Sequence, residues 1–331
     1  MAKEVVLQTG LIGSRVKSTD AIAATFFSSE AIPPTFFTLV SPRPIKQQLE
    51  YPSCVGMAIA RICEYANNRE GFTNEQSGRY IYAEAKKRDG CPSILGTWLD
   101  IGLDVIKNIG DATETDWPSQ VHIPYPIYIA DPPASIDTKA APYRINGYVR
   151  FFTNNTNLIK QYLMEYKLPV LTGSSGSNDS WNSTAVKNNN CIIPEYLNPE
   201  WSHAFIIVGW DDTIGCWEME NSWGAEWGKN GRAYIPYNYK GLFNEAYGVY
   251  DLPNYWKLMN NVWKQLDVIN AAWNWLVKLG HPVINETDRN IHMRAKSPAE
   301  FYIGLLGVID EFINFVGPDK VAEFKKFKGW K

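Results

Sequence analysis

Cysteine is scarce in this chain: five in 331 residues (Cys54, Cys63, Cys91, Cys191 and Cys216), an odd number in a long chain. No disulfide framework is implied, and the pattern suits a cytoplasmic or otherwise reducing cell interior with Cys63, Cys91, Cys191 and Cys216 as structural thiols. Long apolar runs are missing as well. None approaches the about eighteen residues of a membrane span, so no membrane partner is expected. Residues 1–32 open with Met-Ala-Lys-Glu and hold no apolar core followed by a cleavage site, so no secretory signal peptide is expected. Neither charge sign dominates: 32 Lys and Arg face 35 Asp and Glu for a net charge of -3, which speaks against nucleic-acid binding. The Asp211-Asp212 pair invites a metal reading, but acidic residues beside Thr213-Ile214-Gly215 between apolar strands are ordinary hairpin chemistry. No cofactor and no metal is expected.

What the chain does have is length for about two domains, 45% hydrophobic residues, and 13 tryptophans. Its centre of interest is Gln48–Ala66. After Pro52-Ser53-Cys54, apolar residues recur at Val55, Ile59, Ile62 and Ala66, a helical spacing. Pro52 disfavours helix at Tyr51, and Ser53 is placed to cap the first free amides, which predicts Cys54 in the first turn of a buried helix. The positive end of a helix dipole stabilises an anion there, so a lowered thiol pKa is expected. A cysteine near a helix start is by itself more often a small buried hydrophobe.

Two later stretches change that balance. Ser202-His203-Ala204 opens an apolar run, Phe205 to Val208, that ends in Gly209-Trp210 and reads as a doubly buried strand. Cys216 to Asn221 alternates so that Trp217, Met219 and Asn221 share a face, and Ser222-Trp223-Gly224 follow. A cysteine nucleophile needs a base to take its proton, and the base needs a partner that fixes its tautomer. Cys54, His203 and Asn221 supply those residue types.

With Gln48 six residues before Cys54, Ser-Cys opening a helix, His-Ala leading a strand to Gly-Trp-Asp, and Asn-Ser-Trp-Gly followed by Trp-Gly, Asn-Gly and Tyr-Ile, residues 33–251 resemble the papain-like cysteine proteases of the bacterial and phage type. The resemblance implies an α+β fold of two lobes, with Cys54 on a helical lobe, His203 and Asn221 on a β-barrel-like lobe, and the active site in the cleft between. It implies a thiol peptidase acting on peptide or protein substrates. Gln48 then corresponds to the oxyanion-hole donor, and Trp223 to the ring that shields the His–Asn hydrogen bond. The loop Asp89–Leu95 falls where relatives pair backbone with the substrate strand. Other readings of the same residues are a structural or virion-associated protein on a papain-like fold and a same-triad amidase acting on cell-wall or isopeptide bonds. Residues 1–32 are too short for the helical prosegment of secreted relatives, so control by prosegment cleavage is not expected.

The expected organisation is an N-terminal arm over 1–32, a helical lobe over 33–142, a β lobe over 143–252, and a helical extension over 253–331. Helices are predicted over 77–87, 98–109 and 157–165, strands over 147–152, 168–172 and 216–221, and a Gly, Ser and Asn-rich loop over 173–190. In the extension, Tyr255, Met259, Val262, Trp263, Leu266, Ile269, Trp273 and Leu276 keep helical spacing, and Ser297-Pro298-Ala299-Glu300 announces a second helix. Trp256 and Trp275 lie off the main stripe. That surplus aromatic surface is expected to serve either packing within the chain or docking to a protein partner or a second copy.

Overall fold

The computed structural model describes residues 10–14 and 33–250. The expected arm and the expected helices of 253–331 therefore lie, almost wholly in the first case, outside the described residues. In chain order the elements are β1 (Phe36–Thr38), α1 (Cys54–Arg69), α2 (Gly78–Lys86), α3 (Leu99–Asn108), α4 (Tyr125–Tyr128), α5 (Ala134–Ala140), β2 (Gly147–Phe151), α6 (Thr156–Tyr166), β3 (Val170–Gly176), α7 (Asn178–Trp181), α8 (Ser183–Asn188), β4 (Trp201–Asp211), β5 (Cys216–Glu220), β6 (Arg232–Pro236) and β7 (Leu242–Tyr250). Helices lead and antiparallel strands follow, the α+β arrangement the sequence implies.

Helix α1 is buried from Cys54 to Asn67 and packs against α2, α3 and β4. Close approach to α2 depends on Gly56, where a Cβ would lie 2.1 Å from the Gly78 carbonyl oxygen. Helix α2 starts as its sequence predicts, the Ser77 hydroxyl accepting from the Tyr80 amide at 3.1 Å. Helix α1 does not. Ser53 makes no side-chain cap, and its hydroxyl pairs instead with the Tyr128 hydroxyl at 3.2 Å. A long-range partner on α4 has won over the local amide, so the expected cap is replaced by a tertiary contact.

The sheet runs β2-β7-β3-β4-β5-β6, all antiparallel, with β1 beside the far end of β4. Strand β3 continues four residues beyond its predicted end, through Gly173-Ser174-Ser175-Gly176. Those residues have little β propensity, but they pair with β4 on one side, and Ser174 also meets β7 on the other. Tertiary pairing overrides local preference there. The predicted loop is also shortened by α7 and α8, the first capped by the Ser177 hydroxyl and the second by Asn182. Asp211 closes the β4–β5 turn by accepting from the Thr213 amide at 2.9 Å, as a hairpin aspartate should. No helix among the described residues is long and apolar enough to cross a membrane.

A buried chain of charges joins α1 to the sheet. Arg61 lies between Glu64, at 2.6 Å, and Glu220, to which its Nε donates; Glu64 also meets Lys46 at 2.6 Å, and Glu220 meets Arg232 at 2.8 Å. Burial alone would push the Glu220 carboxyl up, but Arg61 and Arg232 hold it below its ordinary range. Glu220 is the last residue of β5, immediately before Asn221.

Candidate active site

Cys54 is the first residue of α1, and His203 is the third residue of β4, paired across the sheet with Ser174. Asn221 follows the end of β5, the strand that runs beside β4. The Ala204 amide, next to His203, donates to Cys54 Sγ at 3.4 Å, so the sheet brings the start of β4 against the start of α1.

The His203 tautomer follows from its partners. The Ser222 amide donates to Asn221 Oδ1 at 2.8 Å, which identifies that atom as the acceptor of the side-chain amide. His203 Nε2 lies 2.7 Å from the same oxygen and must therefore carry the proton. Nδ1 keeps its lone pair, and it is buried with no hydrogen-bond partner among the described residues. Such an imidazole can accept a proton on Nδ1 while Asn221 stabilises the cation that results.

Gln48 is fully buried between the approach to α1 and the end of β5. Its Nε2 donates to the Tyr51 carbonyl at 2.9 Å, and its Oε1 accepts from the Ser222 hydroxyl at 2.7 Å. The side-chain amide is thus held in one orientation, and Nε2 carries a second N–H beyond the one on Tyr51.

Tryptophan encloses the histidine. The Trp223 ring lies 4.4 Å from the His203 ring, centroid to centroid, and Trp181 and Trp201 approach it edge-on at 5.9 and 6.2 Å. Trp227 stands behind them, against both Trp181 and Trp223. Of these four only Trp223 is assigned to the site by sequence. Trp181 falls in a stretch read as loop, and nothing periodic marks it.

A lowered thiol pKa is expected from the helix start, and the structure reverses that direction. Burial pushes the Cys54 thiol up to about 11, outweighing the backbone amides of Ala204 and Gly10 that point at the sulfur. Burial likewise brings His203 down to about 4, against the hydrogen bond it donates to Asn221 Oδ1, which favours the charged ring. In this arrangement both groups are neutral near pH 7, and both are completely enclosed.

The loop 89–96 is organised by Lys86, a residue the sequence reading passes over. Its buried ammonium lies 2.7 Å from the Asp89 carboxylate and donates to the carbonyls of Cys91, Ile94 and Gly96 at 2.7, 2.8 and 3.1 Å. The five cysteines are free, and no three His, Cys, Asp or Glu side chains gather as a metal site would need among the described residues.

Residues 41–255 match the family described as papain family cysteine protease. Among curated relatives, vignain of Ricinus communis is 25% identical over 195 residues, covering 56% of this chain and 49% of vignain. The viral cathepsin of a Cydia pomonella granulosis virus is 28% identical over 209 residues, covering 61% of this chain and 57% of its own length. The chain thus spans about half the length of the curated relatives it matches. Among solved structures, xylellain, a cysteine protease from Xylella fastidiosa, superposes with a TM-score of 0.63 at 23% identity, over 74% of this chain and 96% of that chain. At that identity the likeness speaks to the fold, the α+β arrangement of helices followed by an antiparallel sheet described above.

Proposed function

The chain belongs to the papain family of cysteine proteases, and on that premise we propose that it hydrolyses peptide bonds in peptide or protein substrates with Cys54, His203, Asn221 and Gln48. His203 Nδ1 takes the thiol proton. The thiolate adds to the peptide carbonyl carbon, and the oxygen that becomes negative is held by the second N–H of Gln48 and the backbone amide of Cys54. His203 then returns the proton to the leaving amine as the C–N bond breaks, leaving a thioester. Water, deprotonated by His203, attacks that ester and releases the carboxylate and the thiol. Asn221 accepts from Nε2 throughout, and Trp223 keeps water from that hydrogen bond. The observation that supports this reading best is the bond of 2.7 Å from His203 Nε2 to Asn221, with Nδ1 left bare.

An epoxide probe for thiolates, followed by peptide mapping, tests the reading. The label is expected on Cys54 and not on the buried Cys63 or Cys216, with denatured protein hydrolysed by the unlabelled chain. Turnover of purified cell-wall peptides or isopeptides alone would keep the triad and change the substrate class. A Cys54 that never takes the label would return the fold to a structural use.

Gln48→Ala is expected to lower kcat about 10²-fold with KM little changed, because its second N–H meets the oxygen only once charge develops there. A rise in KM with kcat intact would remove Gln48 from the oxyanion site.

A further inference from the structure

We propose that Tyr51 and Tyr128 are positioning residues for the reaction, their stacked rings holding the turn that aims the Gln48 side-chain amide. The inference rests on the reading of Gln48 as the oxyanion donor. Residues 48–51 form a tight turn, the Tyr51 amide donating to the Gln48 carbonyl at 3.3 Å. The turn is closed a second time by Gln48 Nε2, which donates to the Tyr51 carbonyl at 2.9 Å. The two N–H bonds of an amide nitrogen stand at a fixed angle, so the acceptor of one sets the direction of the other. Moving the Tyr51 carbonyl therefore turns the N–H assigned to the oxyanion.

The turn does not keep this shape by its own preference. Leu49 sits in the left-handed region at a φ of 55°, which a residue with a side chain adopts only at a cost. Such a conformation persists where the surroundings over-determine it. Ser222 holds the Gln48 end, its carbonyl accepting from the Gln48 amide at 2.9 Å and its hydroxyl donating to Oε1 at 2.7 Å. The Tyr51 end is held by residues 121–128. The Tyr51 hydroxyl accepts from the Ile123 amide at 2.8 Å and lies 2.6 and 2.9 Å from the carbonyls of Ile123 and Val121, which share its proton. Its ring lies flat on that of Tyr128, with centroids 3.6 Å apart and planes 12° apart.

Tyr128 is fixed in turn. It is fully buried, and its carbonyl and that of Ile127 each accept from the Arg79 guanidinium at 2.8 Å. Arg79 belongs to α2 and lies over the Trp117 ring at 4.5 Å. Tyr51, Tyr82 and Tyr128 form a buried cluster separate from the main core. The main core does not depend on the stack, but residues 48–53 do: Tyr51 ends the turn, and Ser53 meets the Tyr128 hydroxyl. A stack that only filled space would contribute to stability and favour no step of the reaction. One that aims Gln48 acts where negative charge develops on the carbonyl oxygen, and its effect is bounded by the loss of Gln48 itself.

A double-mutant cycle in the full chain tests this. Tyr51→Phe keeps the ring and removes the anchoring hydroxyl, and Tyr128→Leu removes the stack while leaving residues 48–54 unchanged, so either serves if the other fails to fold. Each is expected to lower kcat for peptide hydrolysis about tenfold with KM little changed, less than the roughly 10²-fold expected for Gln48→Ala. In a Gln48→Ala background the same changes should cost less than about twofold, because they act through the amide already removed. Alkylation of Cys54 by iodoacetamide builds no oxyanion, and its rate should match wild type in both variants, a result that damage to the thiol or to His203 would not give. An undiminished kcat, a loss of equal size in both backgrounds, or alkylation slowed as much as hydrolysis would overturn the positioning role and leave Gln48 as donor. A Gln48→Ala chain with the kcat of wild type would overturn the donor reading, and the positioning role with it.

Discussion

Turnover is expected to vanish when Cys54 is replaced by alanine, with kcat/KM falling on the order of 10⁶-fold. The size follows from the roles assigned around it. Without sulfur no acyl-enzyme forms, and His203 has no thiol proton to take. What survives is the oxyanion donors and substrate binding, which in hydrolases of this logic leave only modest acceleration over water. Loss of the fold would not mimic this result. The change removes one atom from a site whose neighbours are backbone amides, those of Gly10 and Ala204, and the Cys54 sulfur is their acceptor. The cost in stability should stay at about 1–3 kcal/mol. Peptide hydrolysis measured beside a urea unfolding curve separates the two. Activity within tenfold of wild type, in a chain that unfolds normally, would mean another residue does the chemistry.

The parts of this site that were legible in the sequence are those with a local signature. Cys54 follows Pro52-Ser53 and starts a run with helical period, so its position at a helix start follows from backbone restriction and spacing. His203 leads an unbroken apolar run, and Asn221 ends an alternating one, which places His203 on β4 and Asn221 just past the end of the neighbouring β5. What was not legible depends on contacts between distant segments. Ser53 finds Tyr128, not the amides of its own helix. Residues 10–12 are held to Thr97 and Ser202 by backbone bonds, a placement that a few residues without period do not announce. Trp181 belongs to the wall around His203 because β3 and the two short helices after it fold back, although its neighbours are Gly, Ser and Asn. The thiol pKa is the sharpest case. A helix start argues for a lower value, but complete burial of the sulfur outweighs the dipole.

The buried charges between α1 and β5 carry the largest expected effect on stability. Glu220 is 3% exposed and receives Arg61 Nε and two guanidinium nitrogens of Arg232, the latter at 2.8 and 3.0 Å. Glu220→Gln keeps the shape and removes the charge, leaving the buried Arg61 guanidinium and the partly buried Arg232 guanidinium facing a neutral amide. Breaking a buried pair in this way should cost about 3–5 kcal/mol, because the remaining charges lose the partner that offset their desolvation. The sign with pH follows from the direction of the shift. A carboxyl held below its ordinary range contributes stability that is fully present above its unfolded pKa, about 4.3, and is lost as pH falls through the lower folded value. The gap between wild type and Glu220→Gln should therefore be widest near neutrality and narrow in acid. Because Glu220 precedes Asn221 and Arg61 sits on the helix that starts at Cys54, the variant should also lower kcat more than it raises KM. Urea unfolding at a series of pH values, with kcat and KM at each, gives both readouts. A loss under about 1 kcal/mol that does not change with pH would mean that packing, and not charge, joins the helix of Cys54 to the strand of Asn221.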